Sequence, residues 1–190
     1  MNIDAVLEYI DGEYLSKYEY RAPDFDFAMQ TPVTAEKTIS YEVREGEEAL
    51  AHMAAAKIFC THKDVEKLYA AEILADYLTG SNEAPLKRAF LESGLAQDVC
   101  IDVNDGVYQP NIAVVVRNTA PENFAAIKAL IPETVRGLLA EGLNREALSA
   151  SLERSAFTNR EITEPSGLNL AIRALDGWLY GDAPRTLIAN

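Results

Sequence analysis

Three chemically versatile residue types are scarce in this chain. Its 190 residues hold two histidines, two cysteines and a single tryptophan. Cys60 and Cys100 lie in separate apolar segments, a placement that suits neither a zinc knuckle nor a disulfide framework, so both read as buried free thiols of a reducing compartment. Basic residues are also few: 17 Lys and Arg stand against 30 Asp and Glu, for a net charge of −13. Nucleic-acid binding, which relies on cations neutralising phosphates, is thereby disfavoured. A basic partner is the better electrostatic match, with plain solubility as the simpler use of the charge. No apolar run approaches the roughly 18 residues of a membrane span. The opening MNIDAVLEYIDGEY is acidic where a secretory leader would be basic and then apolar. A cytoplasmic protein with no membrane partner is the expectation.

What is present reads as alternating helices and strands. Ile3, Val6, Leu7, Ile10, Tyr14 and Leu15 predict a helix over 3–17. Pro23 and Pro32 punctuate a connector from Tyr20 to Thr34. KTISYEVRE (Lys37 to Glu45) alternates as a half-buried strand would, and ALAHMAAAKIFC (Ala49 to Cys60) reads as a second strand beyond a turn at 45–48. Thr61 with Asp64 resembles a capping box opening a helix that Gly80 stops, its apolar face made of Val65, Leu68, Tyr69, Leu74, Tyr77 and Leu78. Ser81 is placed to cap a short helix from Pro85 to Leu91, which Gly94 ends. Val99, Ile101 and Val103 predict a strand joined through an Asn104–Gly106 turn to a second one, YQPNIAVVVR, apolar enough for both faces to be covered. The two should form an antiparallel hairpin.

Beyond it, Thr119 and Glu122 suggest another capping box, ahead of a long helix that Pro132 should kink. Gly142 ends that helix. Asn144 caps the next, which runs to about Glu161, and after EPSG a last helix spans 168–179. The fold class expected is α+β, two layers, with an antiparallel sheet carrying helices on one face. The organisation expected is an N-terminal helix and connector over 1–34 and one α/β domain over 35–190.

Individual residues offer little chemistry. His52, among apolar neighbours, reads as a hydrogen-bonded structural histidine rather than a ligand, and His62, ahead of a helix, as solvated. Ser81 could hold an anion at a helix N-terminus, although capping is the commoner use. Asp98, Asp102, Asn104 and Asp105 have some calcium-like composition but lack the Gly and terminal Glu of an EF-hand loop. They read as a polar strand face and turn. Tyr9, Tyr14, Tyr18 and Tyr20 could form a docking strip, with core and inter-domain packing as the alternative. No catalytic or metal-binding residue is assigned, and no substrate-binding residue can be named.

Several stretches, in order, carry a resemblance. GSNEAPLKRAFLESGLAQDV, a strand hairpin and a long helix resemble the half-motif of the pitrilysin/insulinase zinc metallopeptidases. SLERSAFTNREITEPSGLNLAIRALDGWLYGD is closer to the presequence-protease branch, through Arg173, Leu175, Trp178 and Tyr180, and EYLSKYEYR resembles the linker entering such a domain. The resemblance implies four homologous α/β domains of the mitochondrial-processing-peptidase type, closing as two bowls around unfolded, possibly basic peptides. It places zinc on a His-x-x-Glu-His motif in the first domain, and His52 and His62 do not make that motif. The Arg and Tyr that the fourth domain supplies fall here on Phe90 and Gln97, which cannot replace them. The resemblance therefore implies the non-catalytic second domain of a longer zinc metalloendopeptidase. The segment would carry no cofactor and, alone, no activity, its partners being the other domains of the parent and its peptides. A free-standing scaffold or peptide-binding module of the same fold is the alternative.

Overall fold

A computed structural model describes residues 2–21, 28–46, 48–161 and 164–180, the side chains at 173 and 177 excepted. The chain divides into two compact units, residues 1–30 and 31–190.

In the first unit, helix α1 covers Ile3–Glu13, opened by the Asn2 side chain accepting from the Ala5 amide at 3.4 Å. It stops short of the expected residue 17 because Tyr14 leaves helical geometry (φ −126°, ψ −64°). A single 3-10 turn, Leu15–Lys17, follows. The Ser16 hydroxyl donates to the Gly12 carbonyl at 3.2 Å, satisfying one of the groups that a helix end leaves open.

In the second unit, β1 (Ala51–Ile58), α2 (Val65–Thr79), α3 (Pro85–Ser93), β2 (Ala96–Asn104), β3 (Asn111–Thr119), α4 (Phe124–Glu141), α5 (Arg145–Arg160) and α6 (Ser166–Leu179) follow in order. The sheet order is β1-β3-β2 with both pairings antiparallel. β1 and β2 therefore run parallel with β3 inserted between them, and α2–α3 form the crossover. The expected α+β class, an antiparallel sheet with helices, is what folds. Residues 105–110 connect β2 to β3, a longer link than the expected Asn-Asp-Gly turn.

The expected strand over 37–45 does not form. Its alternation is real, but Ile39 and Tyr41 stay exposed and β1 pairs only with β3, so the segment lacks the ladder a strand requires. Tyr41 tethers it at that end, its hydroxyl donating to the Leu50 carbonyl.

The core is small and sits between sheet and helices: Leu86, Phe90, Val99, Val116 and Ile127, with Met53, Leu78, Ile101, Val114 and Leu130 packed around them. Fully burying each of these large side chains contributes about 1.5–3 kcal/mol. α2 turns inward only part of the face its large apolar residues suggest: Tyr77 is buried and Leu78 packs on the core. Ala71 and Ala75 are buried whereas Val65, Tyr69 and Leu74 remain exposed, since small side chains allow the helix close to the sheet. Thr79 then joins the two layers. Its hydroxyl donates to the Ala75 carbonyl at 2.9 Å and accepts from the Ile101 amide on β2 at 3.2 Å. α5 lies along α2, where the buried Tyr77 hydroxyl accepts from the Asn144 amide at 3.1 Å and Arg154 meets Asp76 at 2.5 Å.

Helix boundaries depart from the expected caps in three places. Half of the Thr61/Asp64 box forms: Asp64 accepts from both the amide and the hydroxyl of Thr61 at 2.9 Å, while α2 begins only at Val65. Ser81 does not cap α3; Ala84 occupies that position, with Pro85 in the first turn, where a missing N–H costs nothing. Thr119 belongs to β3 and donates instead to the Leu95 carbonyl at 2.6 Å. A 3-10 turn, Pro121–Asn123, precedes α4. Gly94 (φ +64°) ends α3 as expected, in a left-handed position that glycine adopts without strain. Asn144 caps α5 as expected, accepting from Glu146 and Ala147 amides at 3.0 and 3.1 Å.

Candidate functional site

Side chains alternate across a strand, so what the core takes from the sheet decides what the other face shows. Ile101, Val114 and Met53 point to the helices. Cys100 and Asp102 on β2, Val115 and Ala113 on β3, and Ala54 and Ala56 on β1 therefore lie across one another on the opposite face. Small residues stand at the centre of this face, and Asp98 and Asp102 lie along its β2 edge. β3 is half-buried on both faces, at Ala113 and Val115 as at Ile112 and Val114, while Ala54 and Ala56 of β1 are exposed.

The acidic residues along β2 are not equivalent. Asp98 is paired with Lys87 of α3 at 2.9 Å. Asp102 and Asp105 are exposed. The Cys100 thiol lies 3.8 Å from Asp102, and burial, then the Asp102 charge, pushes it above the usual cysteine value. Burial, then Asp64, does the same for Cys60. Both cysteines are free and half-buried, not fully buried as expected. Each is held toward the unreactive thiol form, whereas a nucleophilic cysteine requires the thiolate.

One end of the sheet carries a polar chain. Gln97 accepts from the Asn118 side chain at 3.0 Å, and the Asn118 amide donates to His52 Nδ1 at 3.3 Å. Asn118 holds a left-handed conformation (φ +55°) at this irregular point of the ladder. Accepting at Nδ1 places the proton of a neutral His52 on Nε2. Its ring stacks on Tyr41 with centroids 6.0 Å apart. His52 is thus hydrogen-bonded and structural in geometry, although exposed.

His62 overturns its expectation. It is only 7% exposed, and neither ring nitrogen has a hydrogen-bond partner. The Tyr108 and Tyr180 rings flank it, with centroids 5.0 and 4.5 Å away. Sequence offered no signal for this, because both tyrosines are distant along the chain.

The donor set does not fit zinc. His52 starts β1 and His62 lies beyond its far end, so about 20 Å of strand separates them. Among the described residues, no group of three or more His, Cys, Asp or Glu could hold a metal ion. Phe90, at the position the resemblance equates with a catalytic Arg, is sealed in the core, and Gln97, at the Tyr position, is engaged by Asn118. Ser81 contributes a turn through its carbonyl, which accepts from the Ala84 amide at 3.0 Å, and not a helix-terminal anion site. Tyr9, Tyr14, Tyr18 and Tyr20 are exposed and so are not core. Among the described residues, no helix is long and apolar enough to cross a membrane.

Fold and site together define an α+β domain in which, among the described residues, no cluster of His, Cys, Asp or Glu is assembled to hold a metal. The comparisons carry this further: residues 1–154 match the profile of the Peptidase M16 inactive domain, and the chain belongs to that family. It is 29% identical over 185 residues to Protein HypA of Clostridium perfringens, covering 94% of this chain and 19% of that protein. It is 28% identical over 147 residues to presequence protease 1, chloroplastic/mitochondrial, of Arabidopsis thaliana, covering 74% of this chain and 14% of that protein. The chain thus spans a fifth or less of either relative. In fold it is similar to the inactive peptidase domain of a candidate zinc protease from Bordetella parapertussis, with a TM-score of 0.62 at 14% identity over 75% of this chain and 77% of that one. The resemblance to zinc metallopeptidases, and to presequence proteases among them, is borne out.

Proposed function

We propose that this chain is a non-catalytic wall of the peptide chamber in a longer zinc metalloendopeptidase, second among its repeated α/β domains. Residues 1–34 are the segment that enters the domain and 35–190 the domain itself. Zinc and its catalytic groups reside elsewhere in the polypeptide. The observation that carries this reading is the open sheet face. The side of the sheet away from the core carries small residues, half-buried at Ala113 and Val115 and exposed at Ala54 and Ala56, with the exposed Asp102 on its β2 edge and Asp105 in the adjoining connector. A surface of that kind can lie along an extended chain, and a charge of −13 favours basic peptides. Partners are the sister domains and the unfolded peptides they enclose.

The test is to isolate the natural polypeptide with an antibody against this chain. Expected are a mass several times 20.9 kDa, bound zinc, and cleavage of an unstructured basic peptide that a chelator abolishes. The purified 190-residue chain should cleave nothing. A natural mass of 20.9 kDa would instead make it a free-standing scaffold or peptide-binding module. Chelator-sensitive hydrolysis by the purified chain would also contradict the proposal.

A further inference from the structure

α6 carries more apolar surface than one neighbour can cover. Leu168, Ile172, Leu175 and Leu179 follow one another at helical spacing, and Ala171, Trp178, Ala174 and Leu170 continue the same side. At 100° per residue these positions sweep an arc of about 200°, against the ~100° stripe with which a surface helix meets a single core. A narrower polar strip runs past Asn169 and Asp176. Yet Leu168, Leu170, Ile172, Leu175, Trp178 and Leu179 are between 46% and 62% exposed, and α6 forms no extended packing with any described element. The family profile ends at residue 154, inside α5, whereas the match to HypA covers 94% of the chain and so takes in α6. That relative is about five times longer than the matched stretch, which is 19% of it.

We infer that α6 is an inter-domain helix, clasped on two sides by apolar surface of the same polypeptide outside residues 1–190. The inference rests on the proposed longer peptidase. Within it, α6 is a buried joint, and its wide apolar arc joins the α/β domain to what surrounds it. Burying six large apolar side chains at a joint makes it a firm one, since each removes surface that otherwise orders water.

Hydrogen exchange of the amides over 166–179, measured in the natural polypeptide and in the 190-residue chain, tests the inference. The expected result is fast exchange in the short chain and exchange at least tenfold slower in the natural polypeptide. The double substitution Ile172→Glu with Leu175→Glu should restore fast exchange there, while leaving the unfolding midpoint of the short chain unchanged. Fast exchange in both proteins overturns the inference and leaves the peptidase reading standing on mass and zinc. Protection already present in the short chain, with twice its mass in sedimentation, makes a second copy the occupant and likewise overturns it. A natural mass of 20.9 kDa removes the peptidase reading and this inference together, and shows itself before any exchange is measured.

Discussion

At the scale of single residues, His62 forgoes the hydrogen bonds that its two ring nitrogens make in water, for contact with two tyrosine rings. Replacing it by an apolar ring removes the unpaired groups and keeps the packing. His62→Phe should therefore match the wild type in urea unfolding or exceed it by about 1 kcal/mol. His62→Ala should lose about 3 kcal/mol, the usual cost of emptying a buried aromatic site. A large loss in the Phe variant would reveal a partner for the imidazole. Asp64 gives a pH signature. The Thr61 amide, then the Lys67 side chain and the Thr61 hydroxyl, lower its pKa to about 2. Because the folded value lies below the unfolded one, its contribution is present above about pH 4 and is lost as pH falls through about 2. The melting temperature of the wild type should exceed that of Asp64→Asn at pH 5, and the gap should close by pH 2. The Thr61–Asp64 spacing was legible because a cap is a local event. The burial of His62 was not, because it depends on residues 108 and 180.

Among the elements, helix caps and stops at glycine or asparagine followed the sequence most faithfully. Asn144→Ala should cost about 1 kcal/mol in chemical denaturation, by freeing the two amides that open α5. Gly80 matters through crowding. A Cβ there would come within 2.2 Å of Asp76 Oδ1 and 2.5 Å of the Asp76 carbonyl. Gly80→Ala must displace Asp76, which Arg154 also holds, so a loss of about 2 kcal/mol is expected. Burial raises the Asp76 pKa, but hydrogen bonds from Arg154 and Ser151 bring it below its ordinary value. β2 was readable because its alternation coincides with a ladder, β1 from its place between turns, and β3 from its apolar run beyond the hairpin turn. Residues 37–45 alternate as clearly and form no ladder, since period-two patterning records which faces differ, not whether a partner strand is there. The inward face of α2 was read right at Tyr77 and Leu78 and wrong at Val65, Tyr69 and Leu74, for a related reason. Large apolar residues mark where burial would contribute most, whereas Ala71 and Ala75 mark where the sheet comes close.

At the scale of the whole molecule, a core of a few large side chains coexists with wide apolar exposure, along α6 above all. Monomeric proteins seldom leave such surface open without a use for it. Membership of the inactive M16 family supplies the context, and the open sheet face with its acidic margin supplies the proposed use. The family was legible because its signature is an ordered series of local patterns. The open face was not, because only pairing shows which strand side the helices leave bare. The most direct test is the steady-state kinetics of the natural polypeptide on an unstructured basic peptide, with Asp102→Lys and Asp105→Lys introduced together. A chamber wall that binds without reacting predicts a KM about tenfold higher, roughly 1.4 kcal/mol of lost attraction, with kcat changed less than about twofold. A collapse of kcat at unchanged KM would contradict the account, by placing chemistry in a domain proposed to have none.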